Sequence, residues 1–155
     1  MTDLDAPGID QVDIRGPRFA AWVTTAVLAA VILLSVVSVP AATALLAVQA
    51  FVFAIGAARG PRSHPYGLLY SKLVAPRLGP VTEREPVPPL RFAQLVGLVF
   101  ALVGIVGFIS GSPVSGITAT AFALFAAFLN AAFGICLGCK LYPLAARLRP
   151  ARDRV

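Results

Sequence analysis

The chain has 155 residues, 58% of them apolar and only 13% charged, which is far from soluble averages and allows one small domain. Thirteen Lys and Arg against seven Asp and Glu give a formal net charge of +6. The placement of that charge argues against a nucleic-acid partner. Every charged side chain falls in segments 1–18, 59–91 and 140–155, while 19–58 and 92–139 carry none.

Each uncharged stretch is long enough to cross a bilayer twice, since one crossing takes roughly 20 apolar residues. The expected fold is all-α: an integral membrane four-helix bundle, a single domain over 1–155, built as two antiparallel hairpins joined by a long cytoplasmic loop. Helix one is expected over 19–39, after a cytoplasmic segment 1–18 that holds Asp3, Asp5, Asp10 and Asp13. Ala42-Thr43-Ala44 superficially resembles a signal-peptide cleavage site. The preceding apolar run is too long and its flank too acidic, so the run is read as a retained helix. Pro40 opens helix two, over 40–58, where a missing N–H leaves no bond unmade.

The loop 59–91 is rich in proline, and its stretch 66–78 mixes leucines with Lys72 and Arg77, a composition suited to a short helix lying in the membrane interface. Helix three is expected over 91–110. After the turn Gly111-Ser112-Pro113, helix four is expected over 113–139, followed by the basic tail 140–155. All basic residues then lie on one side, and the two short turns on the other side are uncharged. The positive-inside rule places both termini and the loop in the cytoplasm of a plasma-membrane protein.

Two further patterns concern packing. Arg18-Phe19-Ala20 matches Arg91-Phe92-Ala93, and Pro40 matches Pro113 at the same offset, a faint internal repeat. Small-residue stripes run along helix three (Gly97, Ala101, Gly104, Gly111) and helix four (Ala119, Ala123, Ala127, Gly134, Gly138). They suit close helix packing within the chain, with a homo-oligomer interface as the alternative.

The residues that carry chemistry are few. Cys136 and Cys139, the only cysteines, form a Cys-x-x-Cys pair, the spacing of a dithiol redox centre or of half a zinc site. A complete zinc site would need His64, the only histidine, and a carboxylate such as Glu83 or Glu85. No metal is assigned, and a purely structural pair is the bland alternative. At the C-terminus of helix four the dipole would oppose thiolate formation, with the adjacent Lys140 in partial compensation. Gln49 and Asn130 interrupt the apolar interior. They either bond to each other or line a pocket for a quinone headgroup or sulfur compound below Cys136. His64 is read as a solvated loop residue, with proton donation as its accessory role.

Arg15-Gly16-Pro17-Arg18-Phe19, Pro65-Tyr66-Gly67-Leu68-Leu69, Pro89-Leu90-Arg91-Phe92-Ala93-Gln94 and Asn130-Ala131-Ala132-Phe133-Gly134 leading into Cys136-Leu137-Gly138-Cys139 together resemble domain-of-unknown-function family 4395, small bacterial membrane proteins. The resemblance implies four helices ending in the cysteine segment. It also implies thioredoxin-like or sulfurtransferase partners, which favours thiol redox or sulfur metabolism. More loosely, the chain is similar to quinone-linked thiol oxidoreductases of the vitamin K epoxide reductase and disulfide-bond-forming types. It departs from them in having one cysteine pair, facing the cytoplasm. The reading is therefore a cytoplasm-facing thiol redox or sulfur-handling membrane protein with quinone as its candidate cofactor. The rival is a non-enzymatic scaffold that binds partners or anionic lipid through its basic face.

Overall fold

The computed structural model describes residues 8–148. Asp3 and Asp5 at one end, and Arg149, Arg152 and Arg154 at the other, lie outside them. The order is β1 (Gln11–Asp13), α1 (Arg15–Val37), α2 (Val39–Arg59), α3 (Pro65–Leu69), β2 (Arg84–Pro86), α4 (Val87–Ile109), α5 (Pro113–Phe133) and α6 (Leu137–Arg147). A π turn (Tyr70–Val74) and a 3-10 turn (Ala75–Arg77) continue α3.

Helices α1, α2, α4 and α5 are long and apolar enough to span a membrane. Their faces follow from that environment. Leu28, Val31, Leu46, Phe53, Ala101 and Phe108 are buried in one cluster, while Leu33, Val37, Ile109 and Val114 are each more than 70% exposed. Helices apolar on both faces suit a lipid surround, where outward leucines cost nothing.

Packing closes a ring: α1 lies along α2 and α5, and α4 lies along α2 and α5. Close approach of α4 to α5 and to α2 depends on glycine. A methyl group at Gly107 would come within 2.6 Å of the Gly116 nitrogen, and one at Gly104 within 2.9 Å of Leu46. Gly111 belongs instead to the turn, at φ 78°.

The faint repeat of the sequence extends through the fold. Each half has a 23-residue helix and then a 21-residue helix, and the paired arginines cap across the halves. Arg18 of α1 donates to the Ala131 carbonyl near the end of α5 (3.3 Å). Arg91 of α4 donates to the Ala57 and Ala58 carbonyls at the end of α2 (3.0 and 2.7 Å). After each 21-residue helix comes a shorter one that packs on the first helix of its own half, α3 on α1 and α6 on α4. An aromatic pair marks each contact, Phe19–Tyr70 at 5.9 Å and Phe92–Tyr142 at 6.0 Å.

Four expectations change. Helix one starts at Arg15 and not at residue 19, and it ends at Val37. Helix three starts at Val87, because Pro88 and Pro89 are accommodated in its first turn. The N-terminal segment and the loop are joined by β1 and β2, antiparallel with Val12 opposite Glu85. Helix four stops at Phe133: Gly134 takes up φ 69° and ends the helix, and the chain turns into α6.

The glycine contacts yield a stability prediction. Gly107→Ala should destabilise the protein by about 1–3 kcal/mol, the usual cost of overpacking. Gly79→Ala, with nothing within 4 Å of the added carbon, should stay within about 0.5 kcal/mol of wild type. Reversible unfolding in mixed micelles measures both.

Candidate functional site

The break after α5 sets the surroundings of the cysteines. Gly134 donates to Asn130 O (3.0 Å) and Ile135 to Leu129 O (3.2 Å), which closes the helix end. Cys136 then becomes the N-cap of α6, and its Sγ accepts the backbone N–H of Cys139 at 3.2 Å. The pair is joined as a disulfide with its Cα atoms 5.2 Å apart. It therefore stands at a helix N-terminus, which corrects the expected C-terminal position. The first-turn N–H groups and the dipole favour negative charge on a capping sulfur.

Gly138 fixes the turn against the bundle. A methyl group there would fall 2.6 Å from both Cα and Cβ of Ala93, so α6 meets the α4 backbone directly. Both cysteines are half-buried. A cavity of about 420 Å³ reaches Cys136 and contains no charged side chain. Asn130 and Gln94 supply its amides, and Phe100, Phe122 and Phe125 line its apolar walls. Phe122 and Phe125 are more than half exposed, so the rim reaches the outer surface of α5.

A second polar group stands in the other half. His64 caps α3, its Nδ1 accepting the Tyr66 N–H at 3.3 Å, much as Cys136 caps α6. His64 is 2% exposed, which overturns its reading as a solvated residue. Gly56 makes this possible, since a methyl group there would meet His64 Cδ2 at 2.6 Å and Gln94 Cγ at 2.8 Å. Burial pushes the imidazole pKa down to about 4, and the nearby Gln94 amide only partly opposes the shift.

Tyr66 reaches from α3 into the bundle, and its hydroxyl donates to Gln49 Oε1 at 2.7 Å. Gln49, completely buried in α2, is thus partnered by the loop and not by Asn130. Asn130 lies with Cys136, whereas Gln49 is not among the residues lining that cavity. Lys140 is exposed, one residue beyond Cys139. Among the described residues no cluster of three His, Cys, Asp or Glu side chains could hold a metal ion.

Sequence reasoning overlooked Gln94. It is polar but sits one turn into an apolar run, and only the fold places it on the walls of both the cysteine cavity and a second cavity beside His64. Its position between Arg91 and Gly97 was the available signal. The model of a protein family described as a domain of unknown function (DUF4395) matches residues 12–147. No curated protein and no solved structure matches the chain.

Two predictions follow from the two caps. An unfolded chain protonates His64 near pH 6.5, and the folded protein only near 4. The unfolded state therefore binds the extra proton in this window, so stability should fall as pH drops from about 6.5 to 4, by on the order of 3 kcal/mol. His64→Asn keeps a capping acceptor and should flatten this part of the pH profile in micellar unfolding. Gly138→Ala should displace α6 from α4, with a loss of about 1–3 kcal/mol and faster alkylation of the reduced cysteines.

Proposed function

The chain belongs to the DUF4395 family, and we infer that it is a membrane-embedded thiol–disulfide exchange protein whose working pair is Cys136 and Cys139. The observation that carries this reading is the seat of Cys136 at the N-cap of α6, its sulfur held by the Cys139 N–H and bonded to the Cys139 sulfur. A structural disulfide needs no such donor. A nucleophilic thiolate gains from it.

In the reduced form, the Cys136 thiolate attacks a partner disulfide and expels one partner sulfur as thiolate. The Cys139 thiolate then attacks the mixed disulfide, closing the Cys136–Cys139 bond and releasing the second partner sulfur. Two electrons pass to the partner, and its thiolates take up the two protons the cysteines gave up. The reverse sequence reduces the pair. A soluble thioredoxin-like protein is the proposed partner, because α6 is exposed along much of its length and presents the pair at one end of the bundle.

The charge pattern supports two antiparallel hairpins with the cysteines, the loop and both termini in the cytoplasm of a plasma-membrane protein. Lys and Arg cluster at that end, and the turns at Ser38 and Ser110–Ser112 are uncharged. The scaffold reading draws less support. Arg18 and Arg91 cap helices, and Arg15 and Arg62 pair with Asp13 and Asp10, which leaves a smaller basic surface for partners.

In inside-out vesicles, iodoacetamide at pH 7 should modify Cys136 of the reduced protein about tenfold faster than Cys139. Cys136→Ser and Cys139→Ser should each abolish exchange with added thioredoxin while leaving membrane insertion intact. Full exchange in both variants would refute the reading, and labelling by an impermeant maleimide in intact cells would refute the topology.

A further inference from the structure

Exchange with a soluble protein does not require the cavity that reaches Cys136. Its volume of about 420 Å³ lies within the range of small-molecule sites. It runs from Cys136, Leu137 and Gly138 to Phe100 and Phe122, near the middle of α4 and α5. Cys136 lines it and Cys139 does not. Four phenylalanines, Phe53, Phe100, Phe122 and Phe125, stand around it. Small residues such as Ala93 and Ala126 leave the space between them.

Thr24, Gln94 and Asn130 are its other polar side chains among the described residues, and none carries a charge. Gln94 is engaged with the His64 imidazole, which leaves the Asn130 amide on the same wall as Cys136. An ion entering this space would lose its hydration and meet no counterion. The opening points the same way. Phe122 and Phe125 are more than half exposed on a helix long and apolar enough to span a membrane, so in a bilayer the entrance meets acyl chains.

We propose that this cavity admits an uncharged, membrane-soluble small disulfide and presents it to Cys136. The proposal rests on the thiol–disulfide reading and gives the same pair a second class of partner, one that arrives through lipid. Sulfur suits the walls, because divalent sulfur is polarisable and packs favourably against aromatic rings. The Cys136 thiolate attacks one sulfur of the bound disulfide, which breaks its S–S bond and forms a mixed disulfide. The Asn130 amide is the donor on that wall for the expelled thiolate, which then takes a proton from water in place of the one Cys136 gave up. The Cys139 thiolate next attacks the Cys136 sulfur, closes the protein disulfide and releases the second thiolate, which is protonated in turn. One disulfide is reduced to two thiols, and the two cysteines supply both electrons.

The test uses the full chain in dodecyl maltoside micelles with Cys139→Ser, so that Cys136 alone reacts and only the first step is read. Two chromogenic aromatic disulfides are compared: dipyridyl disulfide, which is uncharged, and dithiobis(nitrobenzoate), which is a dianion. The rate with dipyridyl disulfide should saturate as its concentration rises. Ala126→Phe and Val96→Phe, which fill the cavity from α5 and from α4, should each lower that rate about tenfold. Both variants should keep the parent rate with dithiobis(nitrobenzoate), which reports a folded protein with an accessible Cys136. Micelle partitioning is common to parent and variants, so a selective loss belongs to the cavity. A dipyridyl disulfide rate unchanged in both variants would overturn the proposal and leave the thiol reading standing. Equal slowing with the two reagents would also overturn it, since the cavity would then make no distinction of charge. A Cys136 inert to both reagents in the parent would overturn the thiol reading and the proposal together.

Discussion

In hydrocarbon a backbone carbonyl or N–H that loses its helical partner has no water to turn to, so the architecture depends on how each helix end is satisfied. Most of the ends here are closed by a particular residue. Ser38 accepts from Ala41 at the start of α2, and Arg91 covers the carbonyls of Ala57 and Ala58 at its end. Arg18 does the same for Ala131 in α5. Because each arginine belongs to one half and caps a helix of the other, the caps also lock the halves together. Arginines flanking the apolar runs thus tie the helix ends, and that role removes them from the pool available to partners.

The same constraint accounts for the polar interior. A fully buried glutamine within a membrane helix must find hydrogen bonds or destabilise the fold. Gln49 obtains one from Tyr66, which the short α3 carries down into the bundle. Drawing the Tyr66 hydroxyl to Gln49 brings His64 inward with it, since the two adjoin across Pro65 and their rings pack edge to face at 5.2 Å. Gly56 leaves the space that the imidazole and Gln94 occupy. What reads in sequence as a proline-rich connector is therefore a wall of the bundle, and the glutamine of α2 is what requires it.

The four helices long and apolar enough to span a membrane were legible because long uncharged runs of that length suit hydrocarbon, and the family was legible in short motifs at fixed places. Other features were not. Three-residue strands carry no alternation to read, and Pro86 within β2 argues against a strand at all. The burial of His64 depends on Gly56, a residue eight positions away whose missing side chain signals nothing by itself. The end of α5 had two available signals. A helix over 113–139 would be about 40 Å long, well beyond the hydrocarbon thickness, and Gly134 sits near the length at which a crossing is complete. Apolar composition continues through Ile135 and Leu137 and hid the stop.

That stop decides what the cysteines can do. Had α5 run on through residue 139, the Cys139 N–H would bond to the residue 135 carbonyl, and both sulfurs would face the negative end of a helix. With Gly134 in the left-handed region, the Cys139 N–H is freed from that ladder and donates to the Cys136 sulfur. The electrostatic sign at the pair reverses while the cysteine spacing is unchanged. A Cys-x-x-Cys motif therefore carries little chemical meaning until the helix boundary beside it is known. Here one glycine without a side chain, two residues upstream, supplies the boundary, and Gly138 holds the resulting turn on the α4 backbone. The seat of the pair at a helix N-terminus rests on these two glycines as much as on the spacing of the sulfurs.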